Sequence, residues 1–215
     1  MVMTGTTGTT PATKGEQTRR AILRAAITRF GRDGFRATSV ADIARDAGVG
    51  GTVAYAYYPN KEALFLAAVD NDAAAVIREG VSTFMDAPAA DDWRQDLIFT
   101  LVAAVDRHPL ARRLLAGLEP DVTARVVDIP ALVELRKAVA ERLAAEQVNG
   151  RVRTDIEPAA LANGIVTVIL SLLMSVVQLG SDAAVTYGAD VAAVFGAALD
   201  PVGPTPTQKR RRRSN

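Results

Sequence analysis

The residues best placed to do chemistry lie between Thr38 and Lys61, and the chemistry they suit is contact with a polyanion rather than catalysis. Gly50, Gly51, Thr52, Val53, Tyr55, Ala56 and Tyr57 offer a small-residue surface with one aliphatic hydroxyl and two phenols. Such a surface lets a backbone approach a groove closely. Thr52 can donate or accept there, and its methyl or that of Val53 can meet a thymine methyl. Thr38 and Ser39 add two hydroxyls upstream, and Lys61 adds a positive charge downstream. Catalysis has no comparable set. The single histidine, His108, stands beside Pro109, and the acids Asp121, Asp128 and Glu134 have neither a histidine nearby nor a glycine-rich phosphate loop. The chain contains no cysteine, which excludes thiol nucleophiles, disulfides and zinc-finger spacings. No enzyme activity, metal site or cofactor is expected.

The elements that must position these residues are helices. Ile22, Leu23, Ala26, Ile27 and Phe30 recur at three- and four-residue steps, one face of a helix from about Glu16 to Arg32, with Gly34 as its stop. Ser39 caps a second helix whose inner stripe is Val40, Ile43, Ala44 and Ala47, and Asp42 adds negative charge to its first turn. Gly48 turns the chain sharply and Val49 plugs the turn. A third helix covers roughly Gly51 to Tyr57, and Pro59 prevents it from continuing. Two helices joined by a tight glycine turn form the arrangement in which the second enters a major groove.

Asn60 can cap a fourth helix from Lys61 to about Phe84, and the helical pattern persists beyond Pro88. Further helices are expected up to about His108, from Pro109, one or two between Pro120 and Asn149 with Pro130 a kink or break, from Pro158 to Leu179, and from Ala183 to Leu199. No segment alternates like a strand, so the chain is expected to be all-α with about nine helices. Its organisation is expected to divide into a disordered arm (1–13), a helix-turn-helix domain (14–60), a larger helical domain (61–200) and a disordered basic tail (201–215). The opening MVMTGTTGTTPATKGE has no apolar core and no basic n-region, so a cytoplasmic location is expected.

Charge agrees with contact at one end. Between Lys14 and Glu62 nine Lys/Arg stand against five Asp/Glu, and Lys209–Arg213 adds five more positive charges. With a chain total of +1, the intervening residues carry −8. A basic head on an acidic body suits a polyanion bound at the head. The tail KRRRR either adds non-specific DNA affinity or does nothing.

The run TSVADIARDAGV (Thr38 to Val49), the block Tyr55, Tyr57, Tyr58, and PNKEAL (Pro59 to Leu64) resemble the DNA-binding signature of the TetR family of transcriptional regulators. The similarity extends upstream through Arg19 to Phe35, while the rest of the chain matches only in being helical and apolar. The resemblance implies a homodimer with three-helix heads on a palindromic operator of double-stranded DNA, and a body that binds a small effector. It also implies base contacts from Gly51, Thr52, Val53, Tyr55, Ala56 and Tyr57, with Lys61 on phosphate. Where the family often has Ser-Lys-Gly-Thr, this chain has Gly50-Gly51-Thr52-Val53, and its frequent His is Ala56. Tyr58 is expected to face the core.

In the body, Trp93, Phe99, Leu101, Leu114, Leu118, Val168 and Met174 are candidates for lining an effector pocket, although each also suits plain core. Few aromatics and many Ala, Val and Leu favour an apolar effector. Ile165, Ile169, Leu172 and Val176, with Ala189, Ala192, Ala193 and Gly196, are the candidate dimer interface. Pro158 to Gly180 runs 23 residues without a charge, long enough to span a bilayer. Asn163, Thr167, Ser171, Ser175 and Gln178 interrupt it and no aromatic anchors flank it, so a buried helix rather than a membrane is expected. The expected function is a sequence-specific regulator, a repressor before an activator. Its rivals are an architectural DNA-binding protein and a membrane-associated helical protein.

Overall fold

A computed structural model describes residues 13–86, 93–120, 128–180 and 182–201, the backbone alone at 81–86, 93–99 and 183–186. The N-terminal arm, the basic tail and Asp121 lie outside the described residues. Nine helices and no strand occupy those residues. They are α1 (Lys14–Ala37), α2 (Val40–Asp46), α3 (Gly51–Tyr57), α4 (Lys61–Asp86), α5 (Trp93–Arg107), α6 (Pro109–Leu115), α7 (Pro130–Val148), α8 (Pro158–Leu179) and α9 (Asp182–Leu199).

Local sequence explains most boundaries. Thr13 and Glu16 close a reciprocal capping box, with Thr13 Oγ1 accepting from Glu16 N at 3.3 Å and Glu16 Oε2 accepting from Thr13 N at 3.0 Å. This starts α1 two residues before the expected Glu16. At the other end the helix does not stop at Gly34 but kinks there, at φ 84° and ψ 170°, and resumes to Ala37. Only glycine adopts that backbone without strain. Ser39 Oγ accepts from Asp42 N at 3.1 Å and Asn60 Oδ1 from Ala63 N at 2.7 Å, which start α2 and α4.

The core begins in the head and does not end there. Phe65 packs edge to face on both Phe30 and Phe35, its ring centroid 5.0 Å from each, while Phe30 and Phe35 stack at 26° with centroids 6.1 Å apart. Ile22, Ala26 and Ile43 join them from α1 and α2, Leu64, Ala68 and Val69 from α4, Leu110 and Leu114 from α6, and Ile129 and Leu132 from the start of α7. One apolar cluster therefore spans both expected domains.

Helix α4 ties the body together through two carboxylates. α6 and α7 each open on a proline, which has no N–H to donate, and neither has a side-chain cap of its own. Asp72 Oδ2 accepts from Leu110 N at 3.1 Å and Ala111 N at 2.9 Å, and Asp70 Oδ1 accepts from Ala131 N at 2.8 Å. Both helices thus take their N-terminal caps from α4. α8, with a mean hydropathy of 2.2, is long and apolar enough to cross a membrane. In this fold it packs against α5, α6, α7 and α9.

Candidate nucleic-acid interface

The helix-turn-helix is held from behind. Val40, Ile43 and Ala44 of α2 are buried, and the turn closes with Gly48 at φ 69° and Val49 N–H donating to Ala44 O at 2.9 Å. Arg29 on α1 reaches Asp46 at the end of α2 with two hydrogen bonds, Nε to Oδ2 at 2.6 Å and Nη2 to Oδ1 at 2.9 Å. This fixes the angle between α1 and α2, and the guanidinium hydrogen bond holds the Asp46 carboxyl below its usual range. Asp42 is held low first by the Ser39 hydroxyl, with help from Arg45. Both charges of the α1–α2 clasp are therefore spoken for.

Helix α3 is anchored by one residue. Ala54 is fully buried, whereas Gly51, Thr52, Val53, Tyr55 and Ala56 are exposed, Tyr55 at 53%. Gly50 is the N-cap with no side-chain hydrogen bond, and no atom would come within 4 Å of a methyl placed on Gly51. Tyr57 is half-buried and packs against the head core, so its ring is partly structural. Tyr58 lies in the core, with the Arg19 guanidinium 5.8 Å over its ring and a hydroxyl that has no hydrogen-bond partner. Burial pushes that phenol's pKa up.

Two candidate contacts are not simply presented to solvent. Thr38 is only 3% exposed, and its hydroxyl donates to Gly34 O at 2.8 Å. The kink of α1 uses it, which corrects its assignment to DNA. Lys61 is half-buried, with Nζ 4.5 Å from the Phe35 ring centroid and donating to Arg36 O at 3.3 Å. Its ammonium is pre-positioned at the α1–α4 junction with donor capacity remaining. Ser39 is exposed, although its hydroxyl also donates to Asp42 Oδ2 at 2.7 Å.

Within the body, α4, α5, α6, α7 and α8 surround a cavity of about 140 Å³, lined among the described residues by Ala, Val, Leu and Ile. Leu101 and Leu114 lie on its wall. Leu118, Val168 and Met174 do not, being 57%, 38% and 37% exposed on other surfaces. The side chains of Trp93 and Phe99 lie outside the described ones. Ile165 and Ile169, expected at a dimer interface, line the cavity instead. Leu172 and Val176 are buried against Val102 and Val191 of the same chain. The correction is one of helical phase: 165, 166, 169 and 173 face inward, which turns 164, 167, 168, 171 and 174 outward. Ala189 and Ala193 are exposed, and Ala192 and Gly196 half-buried.

Residues 22–68 match the family described as bacterial regulatory proteins, tetR family. The head is a TetR-family head. It is the DNA-binding part of a transcriptional regulator, and the match covers α2, the turn and α3 whole. No curated protein matches the chain. Among solved structures the fold of most of the chain recurs. A TetR-family regulator from Mesorhizobium loti shares 23% identity and a TM-score of 0.67 over 88% of this chain and 100% of its own. Thermus thermophilus FadR, a TetR-family repressor solved with lauroyl-CoA, shares 24% identity and a TM-score of 0.62 over 87% and 98%. A γ-butyrolactone receptor shares 21% identity and a TM-score of 0.54 over 88% and 92%. The family match lies in the head, and the likeness beyond it is one of fold.

Residues that sequence reasoning missed link the TetR head to the body. Buried Glu119, just past α6, accepts from Phe35 N at 3.0 Å and from Arg113 Nε at 2.6 Å. A methyl on Gly34 would lie 2.4 Å from Arg113 Nη2, so glycine also makes room for this latch. His108 sets Nδ1 at 2.8 Å from Asp72 Oδ1 and Nε2 at 3.0 Å from Glu79 Oε1. Their partners are 36, 29 and 84 residues away in sequence, beyond the reach of any local pattern. Among the described residues no group of three or more His, Asp or Glu converges to hold a metal.

Proposed function

We propose that the chain is a cytoplasmic, homodimeric repressor, released from a palindromic operator when a small apolar effector occupies the body cavity. The observation that carries this is the path of α4. It leaves the recognition helix through Pro59 and Asn60, lines the cavity with Val69, Ala73, Val76 and Ile77, and caps two further cavity walls through Asp70 and Asp72. A ligand that spreads those walls bears on the helix that carries the head. The Glu119 latch to Phe35 gives a second connection from α6. That a similar fold in Thermus thermophilus is a repressor complexed with lauroyl-CoA, and another is a γ-butyrolactone receptor, supports the effector half of the proposal.

On DNA, the α3 face formed by Gly51, Thr52, Val53, Tyr55 and Ala56 enters the major groove, Gly50 and Ser39 lie at its rim, and Lys61 contacts phosphate. Two heads then occupy half-sites one helical turn apart. The partner subunit packs on the outward face of α8 and on α9, where Val168, Met174, Tyr187 and Val194 are exposed. Selection of genomic fragments by the purified protein tests this. An inverted repeat, lost on Tyr55→Ala with Lys61→Ala, is the expected result. Fragments with no shared motif would overturn sequence reading in favour of an architectural role.

A further inference from the structure

The cavity walls bear on the chemistry of what fills them. Among the described residues every lining side chain is aliphatic, with no aromatic ring, hydroxyl, amide or charge. The nearest carboxylates on α4 are already committed. Asp72 is engaged by His108 and by two α6 amides, and Asp70 by the first free amide of α7. These walls therefore offer nothing to compensate a polar or cationic group for lost water. Along these described walls a cation would also find neither an acid nor a ring face, and a flat polycycle would forgo ring-stacking contacts of about 0.5–1.5 kcal/mol. An apolar cavity of roughly 150 Å³ stays dry and takes up a six-carbon hydrocarbon, and this one measures about 140 Å³.

Building on the proposal that this cavity is the effector site, we infer that it selects a saturated hydrocarbon chain by length, with the polar end of the ligand left outside. Walls of branched aliphatic side chains conform to a flexible chain, and each methylene removed from water strengthens binding about fourfold until the space is filled. Past that length, further methylenes must stay in water or deform the walls. The optimum lies at roughly six to eight carbons.

The test is calorimetric titration of the full-length protein with straight-chain 1-alkanols from butanol to dodecanol, beside 1-naphthalenemethanol and a tetraalkylammonium salt. Affinity rising about fourfold per methylene to an optimum and then falling supports the inference. The naphthalene and the cation should then bind at least tenfold more weakly than the best alkanol. Ala73→Leu should shorten the preferred chain and Ile169→Ala should lengthen it, in opposite directions from one wild-type optimum. Affinity that climbs without an optimum, is flat with length, or is greatest for the aromatic or cationic probe overturns the inference. Operator release by the best alkanol bears on the regulatory proposal alone: saturating binding without release would defeat release and leave length selection standing.

Discussion

Single atoms in the head separate what the fold needs from what DNA would need. The Tyr58 hydroxyl is buried without a partner, a state that costs about 1–3 kcal/mol. Tyr58→Phe should accordingly raise stability by about 1 kcal/mol in urea unfolding, with operator affinity unchanged. Gly51 tells the opposite story, since a methyl there meets nothing within 4 Å and the position is already helical. Gly51→Ala should stabilise the isolated protein by about 0.5 kcal/mol while weakening operator binding at least tenfold, as read by electrophoretic shift. If affinity survives, close approach at that residue is not what DNA requires. The exposed face of α3 was legible from the sequence, because a glycine turn, a short helix and Pro59 leave few ways to fold. Thr38 was not. Its hydroxyl answers to a kink at Gly34 that a plain helix stop does not foretell.

Among the helices, the telling arrangement is α4 capping α6 and α7. Asp72→Asn should cost about 2–3 kcal/mol, since it breaks a buried charged network and a helix cap together. His108 makes the same joint sensitive to pH. Burial alone would lower its pKa, but hydrogen bonds to Asp72 and Glu79, aided by their charge, more than offset that and raise it. Arg107 is the cation facing the cluster, donating to Glu79 at 2.6 Å. A raised histidine pKa means the stabilisation is fully present below its ordinary value of about 6.5 and is lost as pH rises through the folded-state value. Unfolding free energy should therefore decline from about pH 6.5 upward in the wild type, and His108→Gln should flatten that decline. Glu79, held low first by Arg107 and then by His108, works in the opposite sense, its share disappearing only in acid. Helix periods, prolines and local caps gave most element boundaries. The phase of α8 escaped because a helix apolar all round carries no mark distinguishing a cavity wall from an outer face.

For the molecule as a whole, the outward side of α8 and α9 is the surface on which the proposed homodimer rests. Met174→Glu places a charge there without touching the cavity wall or the chain's own core. It should leave helicity intact while shifting the protein from dimer to monomer in light scattering. A monomeric wild type would remove the homodimer from the proposal. All-α architecture could be read in advance from the absence of strand alternation, but the joining of head and body could not, because it is made by Phe65, Leu110 and Ile129 across long separations.

That shared core limits how freely this chain can be recombined. A chimera cut at Asn60 would hand a foreign body the Phe30 and Phe35 rings without the Phe65 ring they close upon, and would leave Glu119 with no Phe35 amide to hold. A working graft of this head would therefore have to carry α4 and the α6 border along with α3, or rebuild the join on the new body. The piece that moves as a unit is larger than the helix-turn-helix itself.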